Sequence, residues 1–341
     1  MLRRRPPGAS VNLQLRSFRA IMHGMRDRPK EHVPGKIRTA VVALVLASAV
    51  AGCSDDPPPS GQLESVWGRR GTTDGRLQKP RAMAVDQDDR LYIVDMSARI
   101  QVFNSDGQLV AGPWRTPAWE NGKPTGLLVD RDGNLAVADT HYYRVLFYSP
   151  SGTLLTDRTI GGRAGQGPGE FGLVTDVVQD SQGFYYVAEY GDNDRIQKFT
   201  ADGRYVLGWG GHGSGPGQFR RPQNMVIDTS DRIWVADACN HRIQVFDGTG
   251  KLVKIWGTQG RAAGQLSYPY DLILHGDHVY ICEYGNNRIQ KFTRDGRSLG
   301  CWGTSGRATG QLHNPWALVT NSQGEIFVLD TNNHRVQQIR L

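Results

Sequence analysis

The chain has 341 residues, 38% of them hydrophobic and 42 of them glycine, enough for one large domain with many tight turns. Its net charge of +7 would point to nucleic acid, but residues 1–52 alone hold 10 Lys and Arg against 2 Asp and Glu, leaving 30 against 31 in the remainder. The body has no global basic field, so nucleic acid is not the expected partner.

The first segment reads as an address. A basic stretch ends at Arg38 and an apolar run, Thr39–Gly52, follows. That run is short for a membrane span and has the length of a signal-peptide core. Val50-Ala51-Gly52-Cys53 resembles a bacterial lipobox. The resemblance implies cleavage before Cys53, acylation of its thiol, and a lipid bilayer as partner through the acylated Cys53. A plain signal peptide or an anchor helix is the alternative. Ser54 resembles cargo sorted to an outer membrane. The expected organisation is a signal peptide over 1–52, a proline-rich tether over 53–60 and a folded body over 61–341, held at the cell envelope. Cys239, Cys282 and Cys301 are an odd set without CxxC spacing and imply no disulfide framework.

The body is periodic. Six segments recur: SARIQVF from Ser97, YYRVLFY from Tyr142, NDRIQKF from Asn193, NHRIQVF from Asn240, NNRIQKF from Asn286 and NHRVQQI from Asn333. Their arginines, Arg99, Arg144, Arg195, Arg242, Arg288 and Arg335, are spaced by 45, 51, 47, 46 and 47 residues. One supersecondary unit is used repeatedly. The fourth copy predicts strands over Pro222–Asp228, Arg232–Asp237, Arg242–Phe246 and Lys251–Trp256, then a glycine-rich connector. Six such units predict an all-β, six-bladed β-propeller of four-stranded antiparallel blades. The sixth copy ends after its third strand. Leu63–Gly68 carries the missing Trp-Gly, so the N-terminal strand is expected to complete the last blade and close the ring.

The pattern D/E-x(3–5)-R-[IV]-x-x-[FYI], mostly with Trp-Gly and glycine-rich connectors, resembles NHL repeats over residues 61–341. That resemblance implies the propeller fold but leaves function open, because the family includes enzymes, RNA binders and protein-binding scaffolds.

Loops between second and third strands share a face with the blade connectors, and this is the face to search. Each repeat arginine follows an acid: Asp95, Asp139, Glu189, Asp237, Glu283 and Asp330. Presence in every copy favours structural ion pairs over a carboxylate ring for cations. The first strands carry Asp176, Asn224 and Asp271 where other copies have Ala82, Gly126 and Ala317. With Glu189 and Glu283, these oxygen ligands would suit a divalent cation (calcium, magnesium, manganese or zinc) at the channel mouth. Hydrogen bonding to neighbouring backbone is the alternative.

Aromatic residues gather on the same face: Tyr142, Tyr143, Tyr190, Tyr270, Tyr284 and Trp316. They suit a binding rim or packing between blades. His141, His241 and His334 join them as binding-face residues. His241 and His334 share a repeat position with Asp194 and Asn287, which favours solvated loop residues over metal ligands. Arg163, Arg220, Arg221, Arg261 and Arg307 lie in connectors as a local basic patch, against which export argues. No nucleophile elbow or phosphate-binding loop is present, and no catalytic residue is assigned.

Two functions follow. One is a monomeric binding scaffold at the envelope, outer membrane in the first instance, presenting its loop-rich face to a protein, peptide or glycan. The other is a metal-dependent lyase or hydrolase at the channel mouth, similar to NHL-type amidating lyases or lactonase-like propellers.

Overall fold

A computed structural model describes residues 60–191 and 193–341. The expected signal segment, Cys53 and nearly all of the tether lie outside the described residues.

Six four-stranded antiparallel sheets account for nearly all the regular structure among the described residues. In the first five blades strand order follows the chain. Blade 1 runs Pro80–Val85, Leu91–Asp95, Arg99–Phe103, Leu109–Arg115; blade 4 runs Pro222–Ile227, Ile233–Asp237, Arg242–Phe246, Leu252–Trp256. Blades 2, 3 and 5 begin at Gly126, Leu173 and Pro269. Blade 6 combines Leu318–Thr320, Ile326–Asp330 and Arg335–Arg340 with Gln62–Trp67, as the sequence predicts. Trp67 stands opposite Val336, and the Ser65 hydroxyl donates to Gln338 Oε1 at 2.8 Å.

Burial follows strand position. The second strand of blade 4, IWVAD, is buried throughout and rich in β-branched residues, while the fourth alternates between half-buried and exposed. The core is divided into clusters shared between neighbouring blades. Tyr186, Ile196 and Phe219 meet Met225, Val235 and Phe246 between blades 3 and 4. Repeat tryptophans seal these interfaces on the side of the short hairpins. The Gly250 turn (φ +83°) lies so close to Trp209 of the preceding blade that a Cβ would sit 2.7 Å from its ring. Such a turn needs glycine both for its positive φ and for the approach.

Ring closure generates a prediction. Removing Gln62–Trp67 leaves Arg335–Arg340 as an open edge with unpaired backbone. We expect a melting temperature lower by on the order of 10 °C and concentration-dependent oligomers by size-exclusion chromatography.

Candidate functional site

The six acid–arginine pairs form inside the blades. Nitrogen–oxygen distances run from blade 1 to blade 6 as 2.7, 2.9, 2.6, 2.7, 2.6 and 2.7 Å. The carboxylates are out of water and, blade 2 apart, carry several bonds each. Asp237 accepts from Arg242, from Asn240 at 2.9 Å and from the Arg220 amide at 2.8 Å. Arg242 donates onward to the carbonyls of Ser214, Gly215 and Gln218 in the preceding connector. A repeat glutamine completes the latch. Gln244 donates to Gln218 O and Asp237 and accepts from the Gly217 amide at 2.9 Å. Gln101, Gln197, Gln290 and Gln337 do the same for their connectors. This role was not assigned from sequence, although glutamine stands two residues after the arginine in five of six copies.

Blade 2 departs from the pattern. Leu146 replaces the glutamine and the preceding connector lacks the repeat's glycine spacing. Asp139 Oδ1 is then buried without a partner.

Side chains at the mouth are aimed by bulges. The first strands of blades 1, 3, 4 and 5 each slip register at one residue: Arg81, Thr175, Gln223 and Tyr270. A bulge gives one strand an extra residue and re-aims its side chain. Bulged Arg81, Gln223 and Tyr270, with Thr125 and Trp316 from the unbulged blades 2 and 6, line a small open recess of about 20 Å³, with Ala82, Gly126, Asp176, Asn224, Asp271 and Ala317 one position deeper.

The deeper polar groups bind the next blade. Asp176 Oδ2 accepts from the Met225 amide at 2.8 Å, Asn224 Oδ1 from Leu272 at 3.3 Å and Asp271 Oδ2 from Leu318 at 2.8 Å. Gly126 leaves room for Asp176, whose Oδ1 lies 2.5 Å from where a Cβ would stand. Burial pushes the Asp176 carboxyl up to about 8, only partly offset by bonds from the Met225 and Val177 amides. Burial also drives Asp271 well above the carboxylate range, and the charge of Asp176 adds to it. Glu189 and Glu283 instead turn into their own blades towards Arg195 and Arg288. Among the described residues no three His, Cys, Asp or Glu side chains gather as a metal-ligand group. The oxygens of Asp176, Asn224 and Asp271 are engaged by backbone amides and those of Glu189 and Glu283 by arginines, so the five side chains are directed at separate partners.

Aromatic residues of blades 5 and 6 do converge. Tyr270 stacks on Tyr284 with ring centroids 4.4 Å apart, and Trp316 meets both edge-on at 4.9 and 5.8 Å. Two guanidinium groups flank the cluster. Arg81 lies 4.9 Å from the Trp316 ring centroid, and Arg221 lies 4.7 and 5.3 Å from those of Tyr190 and Tyr270. Of these two, the sequence points to Arg221 only as one of five connector arginines and gives no signal for Arg81. The bulge that carries Arg81 to the mouth has no single-residue signature.

The other expected binding-face residues are placed differently. Tyr142 packs against Arg144, and Tyr143 takes a left-handed corner (φ 57°) against the core of blades 2 and 3. His241 and His334 are buried rather than solvated, and both are left-handed. Their Nδ1 atoms accept the amides of Tyr268 at 3.1 Å and Lys79 at 3.0 Å. Asp194 and Asn287 at the same position accept the amides of Arg221 and Asn314. The position is a corner latch. His141 is different: burial first, then Lys123 and Arg81, push its imidazole down to about 4, and its buried Nδ1 has no partner.

The NHL repeat profile matches residues 219–246 and 312–339, which span the first three strands of blades 4 and 6. The propeller carries NHL repeats. Peptidyl-glycine alpha-amidating monooxygenase A of Xenopus laevis is 31% identical over 205 residues, which is 56% of this chain and 20% of that protein. The chain thus spans about a fifth of the amidating monooxygenases it matches. Mouse NHL repeat-containing protein 3 is 29% identical over 178 residues, 46% of this chain and 49% of the relative. Virginiamycin B lyase from Staphylococcus aureus superposes with a TM-score of 0.58 at 13% identity, over 82% of this chain and 99% of the lyase. That likeness is one of overall fold alone.

Two predictions follow. Replacing Arg242 by Met strands the Asp237 carboxylate in a buried site, and loss of about 3–5 kcal/mol is expected by urea unfolding. Asp176 binds its proton more tightly folded than unfolded, so its ionisation opposes folding. Between the unfolded value near 4 and the folded value of about 8, it lowers stability by about 1.4 kcal/mol per unit rise in pH. Asp176→Asn removes that slope, and melting followed from pH 5 to 8 should fall less steeply than in the parent.

Proposed function

We propose that this protein is a binding scaffold of the cell envelope, anchored through an acylated Cys53, that captures a protein, peptide or glycan on its loop-rich face. The observation that carries the reading is the convergence of Tyr270, Tyr284 and Trp316 beside Arg81 and Arg221 at the channel mouth. Aromatic rings lose little side-chain entropy on binding and arginines stack on them, the combination that anchors interfaces. The repeated carboxylates are occupied within the blades, which leaves this cluster as the chemistry that breaks the six-fold repeat.

Replacing Tyr190, Tyr284 and Trp316 together by Ala should abolish crosslinked partner capture in intact cells while melting stays cooperative. Undiminished capture by the folded variant would remove this face from the reading. Radiolabelled palmitate incorporation that vanishes in Cys53→Ser tests the anchor.

The metal-dependent lyase or hydrolase reading draws on the names of the similar proteins and on the channel carboxylates. Its proposed ligand set is directed at backbone amides and at arginines, which favours the scaffold. Elemental analysis of protein purified without chelators is expected to return no stoichiometric calcium, magnesium, manganese or zinc. One tightly held ion, released by EDTA with a large drop in melting temperature, would reverse the order of the two readings.

A further inference from the structure

Most buried polar side chains in the blades are satisfied, so the exceptions are informative. Repeat tryptophans account for one group of orphaned nitrogens, on the packing surfaces between blades. Another group lies elsewhere. Arg81 Nε, Trp316 Nε1 and His141 Nδ1 are all buried without a hydrogen-bond partner. They come from blades 1, 6 and 2, which are consecutive around the ring. Arg81 and Trp316 line the channel recess and lie against each other, while Arg81 is close enough to His141 to lower its basicity.

Arg81 is the unusual member. It is half-buried in the recess wall and makes no ion pair among the described residues. Burial, and then the like charge of Arg221, push its guanidinium down from the ordinary arginine value. Tyr190, Tyr270 and Tyr284 are its other close ionisable neighbours. The carboxyls of Asp176 and Asp271, deeper in the same recess, turn to backbone amides of blades 4 and 6. A half-buried cation facing a second cation, with its buried Nε–H unused, is a costly arrangement for the protein alone. An oxyanion placed there would receive charge-assisted hydrogen bonds and relieve the repulsion.

We infer that the channel mouth at blades 6, 1 and 2 is a seat for one oxyanion, a carboxylate or phosphate group, borne by a ligand whose flat apolar part lies on the Tyr270–Tyr284–Trp316 cluster. Arg81 holds the charge, the Trp316 indole N–H adds a neutral donor, and Arg221 supplies a second positive charge from the far side of the rings. The neutral imidazole of His141 can present either an N–H or a lone pair at Nδ1, according to its tautomer. The seat rests on the scaffold reading, of which it names the ligand chemistry.

The test uses the full chain, titrated with phenylacetate, phenyl phosphate, inorganic phosphate and the uncharged phenylacetamide. Binding is read by tryptophan fluorescence and thermal shift. The two aromatic anions should bind at least tenfold more tightly than phenylacetamide and than inorganic phosphate. The stronger of the two identifies the oxyanion as carboxylate or phosphate. Arg81→Met should reduce anion binding at least tenfold, Arg81→Lys should restore part of it, and Trp316→Phe should remove most of the fluorescence change. Equal affinity for phenylacetate and phenylacetamide in the parent protein, or undiminished anion binding by Arg81→Met, would overturn the inference; the first comparison needs no variant to fold. Partner capture in cells separates the two readings. Capture that persists in Arg81→Met without any anion preference sinks the seat and spares the scaffold. Arg81-dependent anion binding with no captured partner does the reverse.

Discussion

A carboxylate at the end of each blade's second strand is out of water, and the rest of the blade is arranged around keeping it there. An isolated buried charge of that kind would be intolerable. An arginine four to six residues later neutralises it, and the same guanidinium reaches carbonyls of the connector that arrives from the previous blade. The pair therefore does two things. It fixes the corner between second and third strands, and it clamps the glycine-rich connector to the blade. The buried glutamine of the third strand satisfies the connector amide and carbonyl that remain. With so little side-chain mass of its own, the connector depends on these bonds for its shape.

Clamped connectors make a rigid rim, and a rigid rim lets the channel mouth be specific. Bulges in four inner strands push one residue each towards the axis, so the mouth is lined by positions whose identity is free to vary between blades. Blade-to-blade bonds such as Thr125 Oγ1 to Thr175 O at 2.9 Å and Thr175 Oγ1 to Pro222 O at 2.6 Å hold that lining in place. Beneath it, Asp176, Asn224 and Asp271 tie successive inner strands together. These are the groups that would otherwise suggest a metal. The Asp176 and Asp271 carboxyls are pushed up by burial, which the backbone amides only partly offset, a structural cause rather than one that implies catalysis.

Conflict is concentrated on one side of the mouth. Blade 2 lacks the glutamine and the usual connector, and it leaves Asp139 with an unmatched oxygen. His141 of the same blade and Arg81 of its neighbour are likewise incompletely bonded. Local violations of an otherwise consistent design are expected where a protein meets a ligand. The six-fold repeat supplies the contrast that makes them visible.

The period of the arginines, the β-branched strands and the Trp-Gly of Leu63–Gly68 determined the propeller and its closure from sequence alone, because strand pairing within a blade is local and repeated six times. The recurrence of the acids with the arginines also made the ion pairs legible. What the sequence left open was which residues from different blades meet. Tyr270, Tyr284 and Trp316 could be named as a group, but the stacking of Arg81 on Trp316 depends on ring closure, which brings positions more than 200 residues apart into contact, and that of Arg221 on Tyr270 depends on the packing of neighbouring blades. The direction of a carboxylate was equally undetermined. Asp176 and Asp271 have the composition of ligands, and only the neighbouring strands' amides, supplied by tertiary structure, decide where their oxygens point.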